Sequence, residues 1–193
     1  MVAIPPATAG HIHFDPKLPA ERAALNHHVP QGTLIKVAAV YDRPFWRDAG
    51  LTGSAVSLQG PVNFTVDDSP PDGKIGAIFG FVGGDEARRF SKLGARKRRA
   101  EVLDQYAQMF GDEAKSPRLF FETNWGVSPW SRGCPVALFG AGRNSLSSLG
   151  PALRKPVGKV HWAGTETSDF WMGYMDGAVR SGERAAHEVL AEL

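Results

Sequence analysis

Three places in the sequence carry side chains whose type or setting could serve a ligand. Lys36 stands inside the apolar run LIKVAAVY at residues 34 to 41. A lone ammonium there is an unfavourable burial, an edge residue snorkelling outward, or a group kept for chemistry. Cys134 is the only cysteine, which rules out an internal disulfide. Such a residue usually behaves as a small hydrophobe. Near the C-terminus, Gly173-Tyr174-Met175 opens a helical stretch, where free backbone N–H groups and the helix dipole favour an anionic ligand.

The elements that must position these residues can be read from spacing. Residues 160 to 190 pattern as a strand, a polar turn and a helix, and the helix is predicted from about residue 171. It repeats Gly173, Gly177, Ser181 and Ala185 every four residues, with Gly182 and Ala186 alongside, so one face has almost no bulk. Each helical glycine costs about 1 kcal/mol relative to alanine. Close approach of a neighbour, such as tight packing of the helix on a sheet, would compensate. Upstream, Met1 to Ile4 read as a strand end running into Pro5-Pro6, and residues 19 to 28 as a short helix. A Pro-Gln-Gly turn at 30 to 32 leads into the strand at 34 to 41. Strands near 54 to 58, 62 to 66 and 75 to 82 suggest a meander-like antiparallel region. Gly83-Gly84-Asp85 then breaks the chain into one helix, and a second is predicted at 97 to 110, with Leu103, Tyr106, Ala107 and Phe110 as its apolar stripe. Arg96 to Arg99 are expected to face solvent. A strand at 117 to 124, a Trp- and Pro-containing loop, a strand at 134 to 139, helix near 144 to 154 and a strand at 159 to 164 follow. GAGRNS at 140 to 145 is half a dinucleotide fingerprint without its third glycine, and is read as a turn. The expected fold class is mixed α+β and α/β, in at least two layers.

Composition limits the function classes. The 193 residues are 42% hydrophobic, and 22 basic against 20 acidic residues leave a formal charge of +2. No global field therefore implies nucleic acid or an anionic membrane as partner. No apolar run approaches the roughly 20 residues of a membrane-spanning helix, and no basic segment leads into an apolar one at the start. A cytoplasmic location and no metal are the expectations.

AGTET at Ala163 to Thr167, GYMDGA at Gly173 to Ala178 and SGERAA at Ser181 to Ala186 together form a long composite motif. It resembles the closing motif of the flavin-containing monoamine oxidase family, and the resemblance runs through essentially the whole chain. It implies that Gly164, Thr165 and Glu166 line FAD. It also implies that Gly173, Tyr174 and Met175 bring a helix N-terminus to the pyrimidine edge of the ring, where negative charge collects on reduction. By the same resemblance Lys36 holds a water against flavin N(5), Trp125 packs beside the flavin, and Phe81 and Tyr174 face the substrate. Trp125 and Phe81 also read as ordinary core aromatics. Cys134, in WSRGC, matches the position where covalent members attach the 8α-methyl through a thioether. Pro135 departs from the family, many of whose members put an aromatic there to form a two-ring cage with the residue matching Tyr174.

The fold so implied is the C-terminal portion of a two-domain oxidase: an incomplete FAD-binding domain at 1 to 26 and 128 to 193, and part of an antiparallel-sheet substrate domain at 27 to 127. The implied activity oxidises amines to imine or aldehyde and reduces O2 to hydrogen peroxide. Polyamines or amino acids are alternative substrates; the latter call for an arginine to pair with the carboxylate. Alternatively the chain is a non-catalytic remnant, or one subunit of a split oxidase completed by an N-terminal chain or a second copy.

Overall fold

The run LIKVAAVY forms β1 (Leu34–Tyr41), paired antiparallel on one side with β4 (Gly76–Gly83) and on the other with β5 (Leu119–Asn124). With β2 (Ala55–Val56) and β3 (Phe64–Asp67) the strand order is β2-β3-β4-β1-β5. The expected meander holds for β2, β3 and β4, while β1 inserts between β4 and β5. Alternation of side chains divides the sheet into two faces. Ile35, Val37, Ala39, Tyr41, Ile78 and Val82 are buried on the inner one. Helices α3 (Gly84–Ser91) and α4 (Ala95–Phe110) cover that face with Ala87, Phe90, Val102, Leu103, Tyr106 and Phe110. Each large side chain so buried contributes about 1.5–3 kcal/mol. Gly80 is required by close approach, because a Cβ there would stand 2.3 Å from the Tyr106 hydroxyl. Arg98 departs from the expected solvent-facing run: its Nε lies 2.7 Å from the Glu122 carboxylate, and it also donates to the Leu93 carbonyl.

This sheet and its helices are one of two units in the computed structural model, which describes residues 1–193; it comprises Thr33–Trp125. The other comprises Met1–Gly32 and Gly126–Leu193. Its helices are α1 (Pro6–Ala9), α2 (Ala20–His28), α5 (Leu146–Leu149), α6 (Pro151–Arg154) and α7 (Met175–Leu190). Leu25 and Val29 of α2 share a core with Ala137, Leu149, Ala152 and Leu153. Buried Arg22 donates from Nη1 to the carbonyls of Ala152 and Leu153, at 3.0 Å each, and lies 3.4 Å over the Trp162 ring. It thereby satisfies carbonyls that α6 leaves open, and burial pulls its pKa down to about 10.

Four expectations for this unit need correction. Residues 134 to 139 form no strand; Ala137 makes an isolated bridge to Gln31, and Pro135 has no N–H to extend it. Residues 159 to 164 likewise make only bridges, Val160 to Val157 and Trp162 to Val2. The helix expected near 144 to 154 divides into α5 and α6 at Gly150-Pro151. The C-terminal helix begins at Met175 rather than near 171, since Trp171 (φ 53°) and Gly173 (φ 89°) hold the preceding loop out of the helical region. No helix is long and apolar enough to cross a membrane.

Candidate functional site

In the sheet unit, strand parity puts Lys36 on the outer face, away from α3 and α4. Its register partners are Phe81 on β4 and Thr123 on β5. The ammonium lies 5.7 Å from the Phe79 ring centroid and 5.9 Å from that of Phe81, within cation–π reach. Phe64 stacks on Phe81 at 6.2 Å, and Phe121 stands on the same face, 55% exposed. Lys36 is half-buried among rings, so the result is an aromatic-walled surface carrying an ammonium. Phe81 belongs to that surface and not to the core under the helices. Trp125 follows β5 in a short turn (Trp125–Val127) and is partly exposed.

In the other unit, the turn at Gly164 to Thr167 organises the site. Gly164 has φ 108°, open to glycine, and its N–H donates to Ser181 Oγ at 3.0 Å. The Thr165 hydroxyl accepts from the Gly173 N–H at 2.7 Å and donates to the Tyr174 carbonyl at 2.9 Å, clipping the residues that open α7 to the turn. The small-residue stripe of α7 faces this same backbone: a Cβ on Gly177 would stand 2.2 Å from the Trp171 carbonyl oxygen. Gly182 differs, since a Cβ there would meet nothing within 4 Å.

Cys134 joins the arrangement through its neighbours. Its N–H donates to the Gly32 carbonyl at 2.9 Å, and the Gly32 N–H donates to the Val136 carbonyl at 3.0 Å. A Cβ on Gly32 would lie 2.5 Å from the Cys134 carbonyl oxygen, so only glycine lets these two segments approach. A Cβ on Gly173 would lie 3.8 Å from Val136, so the cysteine loop adjoins the start of α7. Cys134 itself is half-buried. Buried Glu166 accepts from Gln31 Nε2 and the Ala137 N–H, both at 3.3 Å; its carboxylate serves as an internal tie between these segments.

The N-terminus of α7 has no side-chain cap, and Met175 and Tyr174 are 87% and 63% exposed. Its first N–H groups are therefore open to an acceptor. Asp176, in the first turn, is held by Arg180 at 2.6 Å. The Tyr174 ring meets the Trp171 ring edge-on at 5.3 Å, which adds flat apolar surface beside the open N–H groups. Farther along, Arg184 donates to the Trp162 carbonyl and the Thr167 hydroxyl and pairs with Glu188. His161 is bonded to Glu188 at 3.0 Å and Glu192 at 3.3 Å. Its hydrogen bond with Glu188 leads in raising its pKa above the usual histidine value. Burial opposes a low value for Glu188, but hydrogen bonds with His161 and Arg184 outweigh it and hold that carboxyl below the usual range.

Sequence reasoning did not find Gln31, Arg184, His161 or the hydrogen-bonding role of Ser181. For Ser181 a signal existed: a hydroxyl on an otherwise bare, buried stripe needs a partner. The partner of Gln31 lies 135 residues away, and those that tie Arg184 to the turn, Thr167 and Trp162, lie 17 and 22 away, beyond any local pattern.

Comparison with known proteins places these features in a family. The family model described as flavin containing amine oxidoreductase matches residues 1–190. A putative flavin-containing monoamine oxidase of Mycobacterium tuberculosis is 48% identical over 193 residues, spanning all of this chain and 41% of that protein. A probable flavin-containing monoamine oxidase A of Dictyostelium discoideum is 42% identical over 193 residues, again all of this chain and 42% of the relative. Among solved structures, cyclohexylamine oxidase from Brevibacterium oxydans superposes with a TM-score of 0.93 at 38% identity, over 98% of this chain and 42% of that one. The chain thus spans about two fifths of the length of these relatives. It belongs to the flavin-containing amine oxidase family.

Proposed function

We propose that this chain supplies the isoalloxazine-binding and substrate-facing part of an FAD-dependent oxidase that converts an amine, O2 and water to an aldehyde, ammonia and hydrogen peroxide. The observation that carries the reading is the uncapped start of α7, clipped by Thr165 to the Gly164 turn and adjoining the Cys134 loop. Backbone N–H donors beside exposed aromatic surface suit a flat heteroaromatic ring with acceptor atoms along one edge. FAD, when bound, accepts the two electrons of the amine and passes them to O2.

The chain's own residues would do the rest. The N–H groups of Met175 and its neighbours would hold an acceptor edge of the flavin and favour negative charge on it. Tyr174 and Phe81 orient the neutral amine, and Trp125 walls the ring. Lys36 holds a water by charge-assisted hydrogen bonding. Cys134, half-buried in the loop that adjoins the start of α7, would hold the flavin through a thioether.

Pro135 stands where many relatives of this kind carry an aromatic, so the ring beside Tyr174 is that of Trp171. The solved relatives include a cyclohexylamine oxidase and a putrescine oxidase, which supports a primary alkyl amine as substrate class. The chain, combined with a separately expressed N-terminal dinucleotide-binding part, FAD and a panel of primary amines, diamines and amino acids, should release peroxide with the alkyl amines. Lys36→Met should lower turnover while leaving the circular dichroism unchanged. Acid precipitation should leave yellow colour in the wild-type pellet and none in Cys134→Ala. Peroxide release that Lys36→Met leaves intact would remove the role given to Lys36, and a colourless wild-type pellet would remove the thioether.

A further inference from the structure

Two adjoining cavities in the unit of residues 1–32 and 126–193 share Gly10, Asn26 and His27 in their walls. One, of about 280 Å³, is completed by His11, Gln31 and Arg132, and the other, of about 240 Å³, by His13 and Lys17. No carboxylate lines either. Asn26 is 4% exposed, and neither its Nδ2 nor its Oδ1 has a partner; Gln31 Oε1 is also unpartnered. A buried amide left unsatisfied costs stability, so a polar occupant is called for. Arg132 Nη1 contacts His11 Nε2, and because a guanidinium only donates, the imidazole nitrogen is the acceptor in that contact. The walls thus offer N–H donors from Arg132, His11, His27, Lys17 and Asn26, and carbonyl acceptors from Asn26 and Gln31.

We propose that these cavities form a binding site for hydrogen phosphate, distinct from the cysteine and helix-start residues assigned above. The carboxylate-free cationic wall selects an anion. The two unpartnered carbonyl oxygens select one that also donates, which hydrogen phosphate does and sulfate does not. The C-terminal end of α2, where Asn26 and His27 lie, opposes an anion through its dipole, so binding depends on Arg132 and Lys17.

The test is calorimetric titration of the full chain with sodium phosphate, and with sodium sulfate at matched ionic strength, together with thermal melts in each. Phosphate should bind and raise the melting temperature, and sulfate should do neither. Asn26→Leu, which removes an unpartnered amide, should fold at least as well without phosphate and bind it roughly tenfold more weakly or worse. Arg132→Gln, at an exposed position, gives the same readout if the first variant does not fold. ADP tells a nucleotide phosphate from the free ion: its phosphates carry little proton at neutral pH, and it should bind no more tightly than inorganic phosphate. Absence of phosphate binding, equal binding of sulfate, tighter binding of ADP, or affinity unchanged in the variants would overturn the proposal.

Discussion

Alanine in place of two glycines on one helix should change stability in opposite directions. At Gly177 the new Cβ would stand 2.2 Å from the Trp171 carbonyl oxygen, 2.8 Å from its carbon and 3.1 Å from the Phe170 oxygen. The nearest contact is about 1.2 Å short of the 3.4 Å where ordinary van der Waals contact begins, and every atom involved is backbone. Neither side can give way by rotating a side chain, so α7 or the loop at 168 to 174 must move. Overpacking of this kind costs about 1–3 kcal/mol or more, while the gain in helix propensity is at most about 1 kcal/mol and less in a first turn. The net is a destabilisation of about 1–2 kcal/mol, or roughly 2–8 °C in Tm for a chain of this size. At Gly182 no atom lies within 4 Å of the new Cβ, so only the propensity remains, and Gly182→Ala should stabilise by up to about 1 kcal/mol. Thermal and urea unfolding followed by circular dichroism measure both. If Gly177→Ala is as stable as Gly182→Ala, the stripe does not seat against the loop, and the account of how Tyr174 is positioned fails with it.

Two further expectations concern the same unit. His161 is held above its ordinary value of 6.5 and Glu188 below 4.5, each chiefly through their mutual hydrogen bond and, for Glu188, that of Arg184 as well, against desolvation. The histidine contribution is fully present below about 6.5 and is lost as pH rises through its raised folded value. The glutamate contribution is present above about 4.5 and is lost as pH falls through its lowered value. The Tm gap between wild type and His161→Gln should therefore be widest near pH 5–6 and narrow toward pH 9; a gap that widens with pH would contradict the pairing. Gly32→Ala sets a Cβ 2.5 Å from the Cys134 carbonyl oxygen and should lower stability by about 1–3 kcal/mol in urea unfolding, while alkylation kinetics of the single thiol change as its loop shifts.

Strand β1 was legible because its length, its β-branched content and its flanking turns agree, yet the face on which Lys36 sits was not. Both parities of LIKVAAVY are otherwise apolar, so the local pattern lacks the polar alternation that would tell inside from outside. The register with Gly80 resolves it: the inner parity needs a glycine opposite Val37 to admit Tyr106, and Lys36 falls on the other. Residues 134 to 139 failed for the reverse reason. Their apolar content suits a strand, but their backbone partner is Pro30 to Gly32, a contact more than a hundred residues away in sequence that a period cannot encode. The bare stripe of α7 announced a close neighbour without naming it, and the neighbour proved to be the loop carrying Trp171 and Tyr174.

That identity explains why the site depends so heavily on backbone. Gly177 contributes no side chain and lets α7 close on the loop before it, while Gly164 and Gly173 supply the positive-φ backbone on which Thr165 and Ser181 bridge the segments with single hydroxyls. A hydroxyl bridge spans only a hydrogen-bond length, so the positive φ of Gly164 and Gly173 and the close contact at Gly177 together set where it can form. Among the motif letters that carry the family resemblance, Gly164, Thr165, Gly173, Gly177 and Ser181 shape these contacts, while a Cβ on Gly182 would meet nothing within 4 Å. The side chains facing outward from the same loop, Phe170, Trp171 and Met172, close none of these distances, so substitutions there should leave the clip between Thr165 and the start of α7 intact.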